Sequence, residues 1–213
     1  MISHLGNSFI YISLVLTISF YTNLLKRIIP STTFSLILIY LINLIPFGLL
    51  VYAFSISDFT LLNVVENSYV DDPIFYKVTS AWGSHEGSIL LWVFLINLFG
   101  GFFLYKNQTV EIHKNILFIS TLFILYVVIS SNPFTYVEAN ENVLGLGLNP
   151  ILQHFLFVIH PPTLFLGYIG LIIPFVISAH MLVNKKFSEK LFKEMLIWSK
   201  ISWFFLTGGI VLG

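Results

Sequence analysis

With 213 residues, 57% of them hydrophobic and only 9% charged, this chain cannot cover a soluble globule, in which roughly a quarter of residues carry charge. Ten basic residues balance ten acidic ones, so nothing points to nucleic acid; the lack of cysteine excludes disulfides, CxxC redox chemistry, thiolate metal sites and a covalent c-type haem within this chain. A mean hydropathy of +0.91, in apolar runs too long for buried core helices, leaves membrane insertion.

A bilayer core of roughly 30 Å needs about 20 apolar residues of helix. In chain order the runs are 9–25, 33–54, 88–105, 115–130, 162–183 and 196–213. The first lacks a basic flank and a small-residue cleavage site, so it reads as a span rather than a signal peptide. Pro174 predicts a kink in the fifth. The expected fold is an all-α integral membrane protein of about six transmembrane helices, in one membrane domain over residues 1–213, with two functional loops facing outward.

The connections alternate in charge. Lys26, Arg27, Lys106, Lys114, Lys185, Lys186, Lys190 and Lys193, eight of the ten Lys and Arg, fall on one side. The positive-inside rule assigns that side to the cytoplasm or matrix. Segments 55–87 and 131–161 then face outward, with Asp58, Glu66, Asp71, Asp72, His85, Glu86, Glu138, Glu141, His154 and His160. Polar loops on a rigid scaffold are where function concentrates.

Two outward motifs carry chemistry. The first runs W-G-S-H-E-G-S-I-L-L-W over residues 82–92. As one helix it would set Trp82, His85, Glu86, Ile89 and Trp92 on a single face. Two readings stand: interfacial anchoring by tryptophan, or a ligand surface with a His-Glu proton relay at the mouth of a span. His85-Glu86 lacks the second histidine of H-E-x-x-H, which argues against a zinc protease.

The second runs I-H-P-P-T-L-F-L-G-Y-I-G over residues 159–170. Prolines push the residues before them out of the α region, so His160 and Pro161 are expected extended, with Pro162 in the first turn of the fifth span. His160 would stand on a stiff stalk at a helix N-terminus, where the dipole favours the neutral imidazole that a metal or haem iron needs. The alternative is a Pro-Pro helix start with an incidental interfacial histidine. His154 gets no ligand role from its spacing; His113, in an inner loop, and His180, near an inner end, are expected solvated or interfacial.

Together with S-N-P-F (131–134), N-P-I-L-Q (149–153) and W-F-F-L-T-G-G-I-V-L-G (203–213), these motifs resemble the CcmF family, the integral-membrane component of the cytochrome c haem lyase of bacteria and many mitochondria. The resemblance implies a lyase that receives b-type haem from the chaperone CcmE and joins it to the thiols of apocytochrome c, beside a CcmH-type apocytochrome-handling protein. His160 matches the family's first outer-face histidine, an axial ligand to the haem iron. Trp82, His85, Glu86 and Trp92 match a motif that would form a haem or partner surface. After N-P-I-L-Q the family has an acidic residue and a proline where this chain has His154 and Phe155, which puts any role of that loop in doubt.

The family's tryptophan-rich haem segment, its second outer histidine and the two histidines of a further b haem would lie past Gly213. The chain is therefore expected to be an N-terminal portion of a CcmF-like protein, not active alone, working with a partner that carries the rest. It would sit in the mitochondrial inner membrane, or a bacterial one, with its motif loops on the intermembrane-space or periplasmic side. The composition, rich in Phe, Ile, Leu, Asn, Tyr and Lys, fits an AT-rich organellar or bacterial genome. Competing readings are a structural assembly subunit without haem contact and a proton or solute transporter.

Overall fold

The structure, a computed structural model, describes residues 1–138 and 143–213, with only the backbone of Phe157. Glu141 lies outside the described residues. Among the described residues ten α-helices follow in order: α1 (Ile2–Tyr21), α2 (Leu24–Ile28), α3 (Thr32–Ser55), α4 (Leu62–Asn67), α5 (Ile74–Gly83), α6 (His85–Lys106), α7 (Val110–Ser130), α8 (Phe155–Gly170), α9 (Ile172–Asn184) and α10 (Glu189–Leu212). Among the described residues six helical stretches are long and apolar enough to cross a membrane: α1, α3, α6, α7, Val158–Asn184 and α10.

The spans extend beyond the apolar runs. α1 starts at Ile2 rather than near Phe9 because its polar first turns have partners: Ser3 Oγ donates to the Phe134 carbonyl (2.8 Å), as does Asn7 Nδ2 (3.2 Å). Pro174 acts four residues upstream of itself. It has no N–H for the Gly170 carbonyl, and α8 ends there, with Pro174 in the first turn of α9.

Helices α1, α3, α6 and α7 pack into a four-helix unit, and α8 and α9 lie against α6 and α7. α10 packs on α8 and α9, where Gly167, Gly170 and Gly209 leave no room for a Cβ between the helices, and its Trp198 ring also meets Phe99 of α6 (5.3 Å). At mid-span the four-helix unit holds a polar chain: Asn43 Nδ2 donates to Asn97 Oδ1 (2.9 Å), and Asn97 Nδ2 donates to Ser120 Oγ (2.7 Å) and the Val93 carbonyl (2.7 Å). Where lipid surrounds a bundle, interhelical hydrogen bonds of this kind specify which faces meet.

The lysine-rich connectors share one end of the bundle. There the Tyr21 hydroxyl donates to the Lys114 carbonyl, tying α1 to α7. His113 is fully buried beside them, contrary to the solvated position expected of it. Its Nδ1 meets the Tyr40 hydroxyl (2.8 Å) and its Nε2 meets the Asn107 carbonyl (2.7 Å). The carbonyl only accepts, so Nε2 carries the proton and Nδ1 accepts from Tyr40. Gly100 gives the Tyr40 ring its space. Three charged neighbours hid this position: Glu111 and Lys114 share its helical turn but face away, and Lys106 precedes it.

At the other end the two long connections are joined backbone to backbone. Leu62 N–H donates to Thr135 O (3.0 Å), Val137 N–H to Thr60 O (3.0 Å), Val70 N–H to Leu144 O (2.9 Å) and Leu146 N–H to Val65 O (2.8 Å).

Candidate functional site

The W-G-S-H-E-G motif is an elbow, not one helix. α5 ends at Gly83, Ser84 is extended, and α6 starts at His85. Serine is a strong N-cap because its oxygen takes an orphan N–H of the first turn; here Ser84 Oγ accepts from Gly87 N (3.0 Å). Ser88 Oγ donates back to the Trp82 carbonyl (2.9 Å) and locks the angle. Gly87 is required because the Ala81 carbonyl occupies the place of its Cβ. The single face expected for Trp82, His85, Glu86 and Trp92 is therefore corrected: Trp82 belongs to α5, while the other three belong to α6.

The members of that set have separate tasks. Trp92 is wedged between α7 and α8, its ring 5.4 Å from that of Phe123 and 5.6 Å from that of Phe165. His85 is exposed, with Nε2 3.3 Å from the Tyr126 hydroxyl on α7. Glu86, half-buried, stands in the first turn of α6, where the helix dipole favours a carboxylate. Trp82 turns to α8, its Nε1 donating to the Val158 carbonyl (3.2 Å).

His160 is also placed differently from expectation. It is not on an extended stalk: α8 runs from Phe155 straight through Pro161 and Pro162. His154 starts the helix, its Nδ1 accepting from Leu156 N (3.3 Å). An interior proline removes a helical hydrogen bond, and in a membrane helix neighbouring groups take over the freed carbonyl. Pro162 frees the carbonyl of Val158, which is the acceptor Trp82 reaches. The two motifs are thus one construction, with the indole of the first supplying the donor that the prolines of the second lack.

His160 is half-buried where α8 meets α10. Its Nδ1 lies 2.7 Å from the Gly209 carbonyl, which only accepts, so Nδ1 is the donor there and Nε2 is the ring nitrogen left for another partner. Gly209 comes this close because any Cβ on it would strike Leu164, and the backbone of Gly213 lies beside the imidazole. Among the described residues no three His, Asp or Glu side chains converge to hold a metal ion. A haem iron asks less, because its porphyrin fills four positions and the protein supplies only axial ligands. One imidazole would supply such a ligand through Nε2, the ring nitrogen not held by the Gly209 carbonyl.

The Trp82 bond, the Gly209 carbonyl and the Tyr126 partner of His85 were absent from the sequence reading. The first had a signal: a proline at 162 frees the carbonyl of 158.

Residues 82–213 match the family described as "Cytochrome C assembly protein". The chain is 38% identical over 163 residues to the cytochrome c-type biogenesis protein CycK of Bradyrhizobium diazoefficiens, covering 74% of this chain and 24% of that one. It is 38% identical over 175 residues to CcmF of Haemophilus influenzae (79% and 27%), and 35% over 173 residues to CcmF of Escherichia coli (78% and 27%). A solved structure described as "Cytochrome c Heme Lyase CcmF" superposes with a TM-score of 0.81 at 23% identity, over 98% of this chain and 35% of the other, which shows a common fold. The chain spans about a quarter of the length of these curated relatives. The matched region holds the elbow, the His160 helix and the α10 contact, and it covers more than half of the chain, which therefore belongs to the cytochrome C assembly protein family and is of CcmF type.

Proposed function

We propose that this protein is a component of a cytochrome c haem lyase and that His160 offers Nε2 as an axial ligand to the haem being delivered. The observation that carries the reading is the 2.7 Å contact between His160 Nδ1 and the Gly209 carbonyl. A ligating histidine typically donates its other ring N–H to a carbonyl or carboxylate, which fixes the tautomer and aims the lone pair. Trp82 and Trp92 act by bracing α8, and His85 and Glu86 remain at the mouth of α6 for haem or a partner. Haem supplies the vinyl groups that react with apocytochrome thiols. This chain's part is to hold and orient it at the rim of the fifth span, and a b haem elsewhere would depend on residues outside this chain.

The reading includes a haem chaperone of the CcmE kind, a CcmH-type protein, apocytochrome c and the remainder of a CcmF-like protein as partners. It also includes a mitochondrial or bacterial inner membrane, with His160 on the intermembrane-space or periplasmic side. Supporting the sidedness is the gathering of eight lysines and arginines at the opposite end. The test replaces His160 with Ala and measures c-type cytochrome content and haem co-purification; both should fall, and His160→Gly should recover with added imidazole. Unchanged haem and cytochrome content would remove His160 from the ligand role. A topology reporter after Lys186 that reports the outer side would overturn the orientation.

A further inference from the structure

The mid-span polar chain of Asn43, Asn97 and Ser120 stops short of α1. Asn43 Oδ1 has no protein partner, and neither does Ser13 Oγ on α1. Both residues are buried, Ser13 at 2% and Asn43 at 1% exposure. Both border the same small cavity, otherwise walled by Ile10, Pro46, Leu90, Val93, Ile124 and Val127. A buried amide oxygen or hydroxyl with nothing to bond is costly, and here two of them face one space. Pro46, which also lines the cavity, has no N–H for the carbonyl of residue 42.

The volume open to the centre of a water-sized sphere is about 10 Å³, the amount one water needs, and a buried water takes two to four polar partners. We propose that a single internal water binds in this cavity, accepting from Ser13 Oγ and donating to Asn43 Oδ1. It completes a hydrogen-bonded chain from α1 through α3 and α6 to α7. The occupant is neutral, because the wall offers no carboxylate to balance a cation in the low dielectric of mid-membrane. Its task is to let α1, whose other mid-span contacts are apolar or internal to the helix, recognise α3 by a polar bridge.

The test uses the purified protein in lipid nanodiscs and hydroxyl-radical footprinting in ¹⁸O water, since a bound water is a local radical source. Pro46 and Leu90 should be oxidised several-fold faster than Leu36 and Ile39, which are equally buried but lie away from the cavity. Ser13→Val, which fills the space with methyl groups, should remove that difference. Equal rates for the four residues in the unaltered protein would overturn the proposal, whether or not the variant folds. A density map fine enough to show waters decides the occupant. A peak about 2.8 Å from both oxygens supports water. Shorter contacts together with sodium-dependent thermal stability would show a cation, and a direct Ser13–Asn43 bond would leave no room for a ligand; either outcome overturns it.

Discussion

The indole N–H of Trp82 donates to the carbonyl of Val158, the acceptor that Pro162 cannot serve. Trp82→Phe keeps most of the ring and deletes this one donor, so it should lower stability by about 1 kcal/mol. Pro162→Ala gives Val158 a helical partner again. In that background Trp82→Phe should cost measurably less, with a coupling of at least about 0.5 kcal/mol. Unfolding of the four proteins in mild detergent measures the cycle. Additive costs would mean that the indole bond and the proline are independent.

Asn97 makes three hydrogen bonds and Asn43 is seen to make one. Asn97→Leu should therefore destabilise more than Asn43→Leu, by about 1–2 kcal/mol against about 0.5–1 kcal/mol, given the modest worth of each bond in a membrane. Thermal denaturation in nanodiscs ranks the two.

Tyr40 and His113 form a closed pair with the Asn107 carbonyl. Tyr40→Phe loses one bond, at about 1 kcal/mol. His113→Leu strands a buried hydroxyl and a carbonyl together and should cost about 2–4 kcal/mol. Nitrogen NMR of the labelled imidazole should show the proton on Nε2; a proton on Nδ1 would refute the assigned tautomer.

The layer of α8 and α10 can be probed without background thiols, because the chain has no cysteine. A Cβ at Gly208 would lie 3.9 Å from Thr163 Cγ2, so the two positions face each other across α8 and α10. Thr163→Cys with Gly208→Cys should oxidise to a cross-linked form that migrates faster on a non-reducing gel. Adding Gly170→Leu, which drives a side chain into Ser202, should sharply reduce the yield.

The span count was legible because lipid imposes it: each crossing needs a long apolar helix, and hydropathy reads that directly. The ends of the spans are less legible, since Ser3 and Asn7 belong to α1 where Phe134, 131 and 127 residues away, accepts their hydrogen bonds. His160 is singled out by its motif, and its setting differs from the extended stalk expected, since α8 runs through it. The local preference against helix before proline was overridden by a tertiary donor, Trp82, and by His154 starting the helix earlier. Residues 82–92 were misread in the opposite sense: a helical period was extended across Ser84, whose capping bond to Gly87 breaks it. Which ring nitrogen of His160 is engaged is not readable locally, because its partner is a carbonyl 49 residues away.

The backbone bonds that join Leu62 to Thr135, Thr60 to Val137, Val65 to Leu146 and Val70 to Leu144 can form only after the fourth span has been made. The first connection is made more than sixty residues before its partners leave the ribosome. Until the fourth span has been threaded, the amides of Leu62 and Val70 lack the carbonyls of Thr135 and Leu144. A pause or failure at that span would leave α4 and its flanks open to proteases while the first three helices are already seated. Quality control could therefore read the insertion of the fourth helix from the cleavage of a loop that precedes it.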